Sequence, residues 1–86
     1  MSSYVVRFSR SGRKELERLP RTAAARLFES IAKLANNPRP VGCQKLQAED
    51  DLWRIRVGDY RAVYHLNAIS KVVTIRRVRH RRDVYR

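Results

Sequence analysis

Residues 52–64, LWRIRVGDYRAVY, leave few choices for the fold. Trp53, Ile55 and Val57 alternate with Arg54 and Arg56, and Tyr60, Ala62 and Tyr64 alternate with Arg61 and Val63. A period of two on both arms means two strands. Between them stands Gly58-Asp59, with glycine first, where a type II′ turn requires a positive φ. That turn sets the register: Val57 faces Tyr60, Arg56 faces Arg61, Ile55 faces Ala62, Arg54 faces Val63 and Trp53 faces Tyr64. One face of the hairpin is apolar and aromatic. The other carries three arginines, two of them opposite each other, an arrangement that destabilises a sheet unless something negative is supplied. The expected counter-charge is phosphate.

The charge of the whole chain supports this expectation. Lys and Arg number 20 against 8 acids, for a net charge of +12 and a pI of about 11.3. From residue 52 onward there are ten Lys/Arg and only Asp59 and Asp83 against them, so the basic character is concentrated in the second half. Such an excess points to nucleic acid or another polyanion as partner. With 86 residues the chain is expected to form a single domain, 1–86, with a modest core. The single cysteine, Cys43, cannot form an intramolecular disulfide and suits a reducing cytoplasm. No histidine near it in sequence makes it a nucleophile. No apolar run is long enough to span a membrane, and the N-terminus lacks a signal-peptide core, so a cytoplasmic protein without membrane partners is expected.

In chain order, Tyr4 to Phe8 reads as a strand. Ser9 to Gly12 offers capping chemistry, with Gly12 and Glu15 spaced like a capping box. A short helix follows to about Leu19, and Pro20 suits the first turn of a second helix. There Ala24, Leu27, Phe28, Ile31, Leu34 and Ala35 recur at spacings of three and four. Asn36-Asn37-Pro38 ends that helix, and a loop through Pro40 and Gly42 leads to Gln44-Lys45-Leu46. The acidic turn Glu49-Asp50-Asp51 precedes the hairpin. Asn67 to Ser70 forms a further turn, and a β-rich run extends from Lys71 to about His80. A four-residue turn would pair Leu66 with Lys71 and set Arg61 opposite Arg76, adding Arg76 to the basic face. The order β-α-α-β-β-β predicts an α+β fold: two antiparallel helices on one face of a mostly antiparallel four-stranded sheet, with the basic face open.

The run from Leu52 through Arg61, a strand, and then His80-Arg81-Arg82-Asp83-Val84-Tyr85 resembles the RelE family of bacterial toxins within the RelE/ParE superfamily. The helix ending in Asn-Asn-Pro and the Lys45-Leu46 pair resemble that family as well, so the similarity covers nearly the whole chain. It implies a toxin that cuts messenger RNA in the ribosomal A site, contacts ribosomal RNA, and is neutralised by a RelB-type antitoxin in a hetero-oligomer. By position, Arg54 and Arg56 match the family's basic residues before the turn, Arg61 the arginine after it, Arg81 the arginine near the end of the last strand, and Tyr85 the terminal tyrosine. Lys45 and His80, within the matching segments, join Arg54, Arg56 and Arg76 as candidates for RNA or phosphate binding. Arginine stands at positions 54 and 56 where well-studied members have lysine. A guanidinium still binds phosphate but does not release its proton. The chain runs only to Arg86, so neutralisation by displacement of a further C-terminal helix is not expected.

Internal cleavage of RNA without a metal requires attack by the 2′-oxygen on the adjacent phosphate, a proton acceptor, positive charge on the developing oxyanion, and help for the leaving 5′-oxygen. No His, Cys and carboxylate cluster has metal-ligand spacing, and no cofactor or metal is expected. His65 and His80 have no spacing that forces them together. Arginines supply bidentate charge. A phenol, with a pKa near 10 in water, becomes a better base beside cations, and Tyr85 neighbours Arg81, Arg82 and Arg86 in sequence. Tyr85 is therefore the candidate base, Arg61 and Arg81 serve the scissile phosphate, Arg54 and Arg56 position substrate, and His80 is the alternative proton-transfer group. The parity of Trp53 places it in the core rather than under a base, and His65 is expected to face solvent. Arg77, Arg79 and Arg82 are open to three roles: contact with ribosomal RNA, pairing with antitoxin acids, or simple solvation. Two other classes of function stand beside this one: a ParE-like toxin that binds a topoisomerase without cutting RNA, and a plain RNA- or ribosome-binding module, for which the net charge alone would suffice.

Overall fold

A computed structural model describes residues 3–47 and 51–82. Strand β1 (Val5–Phe8) leads into helices α1 (Arg10–Glu17) and α2 (Arg21–Ala32), the second extended by a 3₁₀ turn over Lys33–Ala35. Strands β2 (Gln44–Gln47), β3 (Leu52–Val57), β4 (Tyr60–Asn67) and β5 (Val72–His80) follow. The sheet runs β1-β5-β4-β3-β2, parallel only between β1 and β5. This is the expected α+β arrangement with a fifth strand. β2 is short, polar and preceded by a Pro/Gly loop, so no apolar alternation announces it. It pairs with β3 through Gln44 opposite Arg54 and Lys45 opposite Trp53. Among the described residues no helix is long and apolar enough to cross a membrane.

The β3–β4 hairpin has the register that its turn dictates, from Val57 opposite Tyr60 to Trp53 opposite Tyr64. Gly58 has φ 60° and Asp59 does not take a positive φ, as a type II′ turn requires. The inward parity buries Ile55, Ala62, Tyr64 and Leu66, joined by Val73, Ile75 and Val78 of β5. Against them lie Leu27 and Ile31 of α2 and Leu34 just beyond it, the buried subset of the helical stripe. Phe28 sits at the edge of that stripe, 54% exposed and stacked on Phe8. Tyr64 is fully buried, and its hydroxyl donates to the Pro38 carbonyl at 2.6 Å, which ties the loop after α2 to the sheet. Burial pushes its pKa well above the usual phenol range.

The last strand departs from the expected register. The turn includes Lys71 at φ 59°, and the Ser70 N–H donates to Asn67 Oδ1 at 3.0 Å, so Asn67 pairs with Val72 and Leu66 with Val73 rather than with Lys71. Further along, Tyr64 pairs with Ile75 but Val63 pairs with Arg77, leaving Arg76 as the extra residue of a β-bulge. Arg61 consequently faces Arg79, not Arg76. Strict alternation after Ile75 would bury Arg77 and expose Val78. The inserted residue reverses that parity and keeps Val78 in the core.

Helix α1 starts inside the Ser9–Gly12 stretch. Its N-cap is Ser9, within the expected capping stretch, and the Ser9 Oγ accepts from the Gly12 N–H at 3.0 Å, so Gly12 lies inside the first turn and the Gly12–Glu15 pair forms no capping box. The Ser9 N–H donates to the Ile75 carbonyl at 2.9 Å and its hydroxyl to the Arg76 carbonyl at 3.1 Å. Gly12 is buried against the Ile75 carbonyl, so close that a Cβ there would overlap it. β1 stops pairing with β5 at Phe8–Ile75, and α1 takes over the cover of that strand edge.

Candidate nucleic-acid interface

The outward parity of three strands places Arg56, Arg61 and Arg79 in one cross-strand row, with Arg54, Val63 and Arg77 in the next. Beyond β5 the chain bends back to the hairpin, where the Arg81 N–H donates to the Asp59 carbonyl at 2.7 Å. The bend brings Arg81 and Arg82 to the hairpin tip. A cleft of about 390 Å³ results, lined by Arg56, Gly58, Asp59, Tyr60, Arg61, Arg81 and Arg82. Four arginines thus line one cleft together with Asp59. Such a cluster is unfavourable alone and becomes favourable when an anion with several acceptor oxygens enters it.

Of the residues singled out from sequence, Arg56, Arg61 and Arg81 come together in this cleft. Arg54 lies one row away and donates to the Gln44 side chain on β2. Lys45 lies farther out: its ammonium is 5.5 Å from the centre of the Trp53 ring and 3.9 Å from Asp51. Trp53 packs against the core as its parity requires, and its Nε1–H donates to Asp51 at 3.1 Å. Arg76, displaced by the bulge, lines a separate cavity with Asp51, His65 and Asn67. His80 stands beside the cleft, edge-on to Tyr60 with ring centres 5.1 Å apart, and its Nδ1 accepts from the Arg82 N–H at 3.2 Å. Tyr85 lies outside the described residues. Among those described, no three His, Cys, Asp or Glu side chains group as a metal site.

Sequence reasoning passed over Tyr60 and Glu15. The parity of Tyr60 puts it on the apolar face, yet at the strand end it also lines the cleft. Glu15 reaches from α1 to β5: Oε1 accepts from the Val78 N–H at 2.8 Å, and Oε2 lies 3.2 Å from Arg77 Nη2 and 3.3 Å from Arg79 Nε. Its capping-box spacing suggested a local role, and nothing in the sequence links it to residues more than sixty positions away.

Fold and cleft together define a class: small α+β domains with a two-helix layer and a basic cleft at one end of an otherwise open sheet face. The sequence model of the ParE toxins of type II toxin–antitoxin systems matches residues 6–85, and the chain belongs to this family of the RelE/ParE toxin superfamily. It is 33% identical over 84 residues to toxin RelG of Mycobacterium tuberculosis, covering 96% of this chain and 97% of RelG. The archaeal RelE–RelB complex from Pyrococcus horikoshii contains a chain that superposes with a TM-score of 0.82 at 32% identity, over 92% of this chain and 96% of that one. The RelBE2 toxin–antitoxin complex from M. tuberculosis gives 0.79 at 30% identity, over 91% and 98%.

Proposed function

We propose that this toxin is a ribosome-dependent endoribonuclease of the cytoplasm that cuts messenger RNA in the A site and is held inactive by an acidic RelB-type antitoxin. The observation that carries this reading is the convergence of Arg56, Arg61, Arg81 and Arg82 on a single cleft. Attack of the 2′-oxygen turns a singly charged phosphodiester into a more highly charged transition state. Strand pairing and the bond from the Arg81 N–H to the Asp59 carbonyl fix the backbone from which these guanidinium groups reach that charge. Arg61 and Arg81 hold the non-bridging oxygens, Arg56 and Arg54 the flanking backbone. Tyr85 takes the 2′-proton, with His80 behind Tyr60 as the alternative group. The RelB chains in the P. horikoshii and M. tuberculosis complexes support an antitoxin of that type as partner.

A second reading is favoured by the family match itself: a toxin that acts on a topoisomerase and leaves RNA intact. One experiment separates the two. Translating ribosomes are incubated with the purified protein, new mRNA ends are mapped, and supercoiling by a topoisomerase is assayed in parallel. The expected result is cleavage inside the A-site codon, lost in Arg61→Ala and Arg81→Ala. Intact mRNA with blocked supercoiling would replace the nuclease reading by the second one. Ribosome binding with neither effect would leave a plain binding module.

A further inference from the structure

We infer that Glu15 is a specificity-determining residue: it keeps Arg77 and Arg79 off RNA and confines phosphate binding to the cleft at the hairpin tip. The inference rests on the nucleic-acid-binding part of the reading above and not on cleavage. The outward face of β5 presents Arg77 and Arg79 beside the cleft row, and by strand pairing alone Arg79 would extend that row from Arg56 and Arg61. Both guanidinium groups instead turn over the strand edge to one carboxylate on α1.

That carboxylate is held more firmly than a surface ion pair. Its second oxygen accepts the Val78 N–H, and its helix is fixed to β5 by the Ser9 hydrogen bonds and by the close approach of Gly12 to Ile75. The Glu15 side chain is only 22% exposed, against 45% for Arg77 and 35% for Arg79. The anion is therefore positioned before either arginine arrives, and little side-chain entropy is lost by keeping it there. A phosphate from solution has to displace a charge that is already in place. With Arg77 and Arg79 held by Glu15, RNA is drawn to the cleft at the hairpin tip rather than spread across the outward face of β5.

The test is the salt dependence of binding of the full-length protein to a fluorescein-labelled, ten-nucleotide single-stranded RNA. Each phosphate neutralised on a single strand adds roughly 0.7 to the slope of log K against log salt. Glu15→Gln preserves size and an acceptor oxygen for Val78 while removing the charge. It should bind more tightly at low salt and steepen the slope by roughly 1.4, as two arginines become available. In the otherwise unmutated protein, Arg77→Gln and Arg79→Gln should leave the slope unchanged. Combining all three substitutions should restore the wild-type slope, a reversal that a merely structural role for Glu15 does not produce. The inference is overturned if Glu15→Gln leaves the slope as it was, or if either arginine substitution alone flattens it by roughly 0.7. Should Glu15→Gln fold poorly, the two arginine variants decide between these outcomes. RNA binding with these slopes but no mRNA cleavage on ribosomes refutes the nuclease reading and leaves the role of Glu15 standing.

Discussion

Replacing Gly12 by alanine sets two physical effects of opposite sign against each other. Helix propensity alone favours Gly12→Ala, by up to about 1 kcal/mol in a helix interior and less in a first turn. The fold opposes it, because the new methyl group would occupy the space of the Ile75 carbonyl, a backbone group that cannot rotate aside. Overpacking of this kind costs about 1–3 kcal/mol. Relief by moving α1 away from β5 would pull Glu15 from the Val78 N–H and leave that part-buried donor unpaired, at a further cost of about 1–3 kcal/mol. The net expectation is a loss of about 2 kcal/mol. For a domain of this size that lowers Tm by roughly 8–16 °C, since each kcal/mol shifts it by about 4–8 °C. Thermal and urea melts followed by circular dichroism measure the change, with Ser11→Ala, an exposed neighbour on the same helix, as the control expected to be neutral or slightly stabilising. A Gly12→Ala protein that melts at or above the wild-type temperature would falsify the docking of α1 on the β5 backbone.

Tyr64→Phe removes the hydroxyl that holds Pro38 and should cost about 1–2 kcal/mol in a urea melt. Because burial raises the Tyr64 pKa, the folded protein keeps this proton while unfolded phenols lose theirs above about pH 10. Stability therefore falls by about 1.4 kcal/mol per pH unit in that alkaline window, and Tyr64→Phe should remove that share of the decline. Arg56→Ala and Arg61→Ala should leave the melt intact and each flatten the salt slope of RNA binding by roughly 0.7, whereas Arg76→Ala, in its separate cavity, should leave the slope unchanged. Tyr85→Phe should preserve ribosome binding and slow single-turnover cleavage by about 10²–10⁴-fold, and full activity would move the search for the base to His80. A substrate with hydrogen in place of the 2′-OH at the cut site should resist cleavage, and its cleavage would show that the nucleophile is not the 2′-oxygen.

The hairpin was legible because two short-range rules agree on it. Alternation fixes which side chains share a face, and Gly58-Asp59 fixes the offset between arms, so Arg56 opposite Arg61 followed without tertiary information. The stripe of α2 was legible for the same reason, as Leu27, Ile31 and Leu34 recur on one side. Strand β2 was not, since Gln44, Lys45 and Gln47 carry no alternation and are held in the sheet by β3 beside them. Arg81 joined the cleft through a contact between a strand end and a turn, which neither segment announces alone.

The bulge at Arg76 shows why the basic face could be located from sequence but not bounded. Eight of the nine residues of β5 are β-branched or arginine, so several registers satisfy local preference about equally. The choice falls to the core: Val73, Ile75 and Val78 must all point inward, and their spacing of two and then three admits no regular strand. The extra residue turns Arg77 and Arg79 outward together, on the stretch of edge that β1 leaves uncovered and α1 closes. An acid on α1 is then required twice over, as acceptor for an edge N–H and as counter-charge for two arginines, and Glu15 meets both requirements. The spacing of three apolar residues in the last strand thus determines which arginines remain available at the cleft.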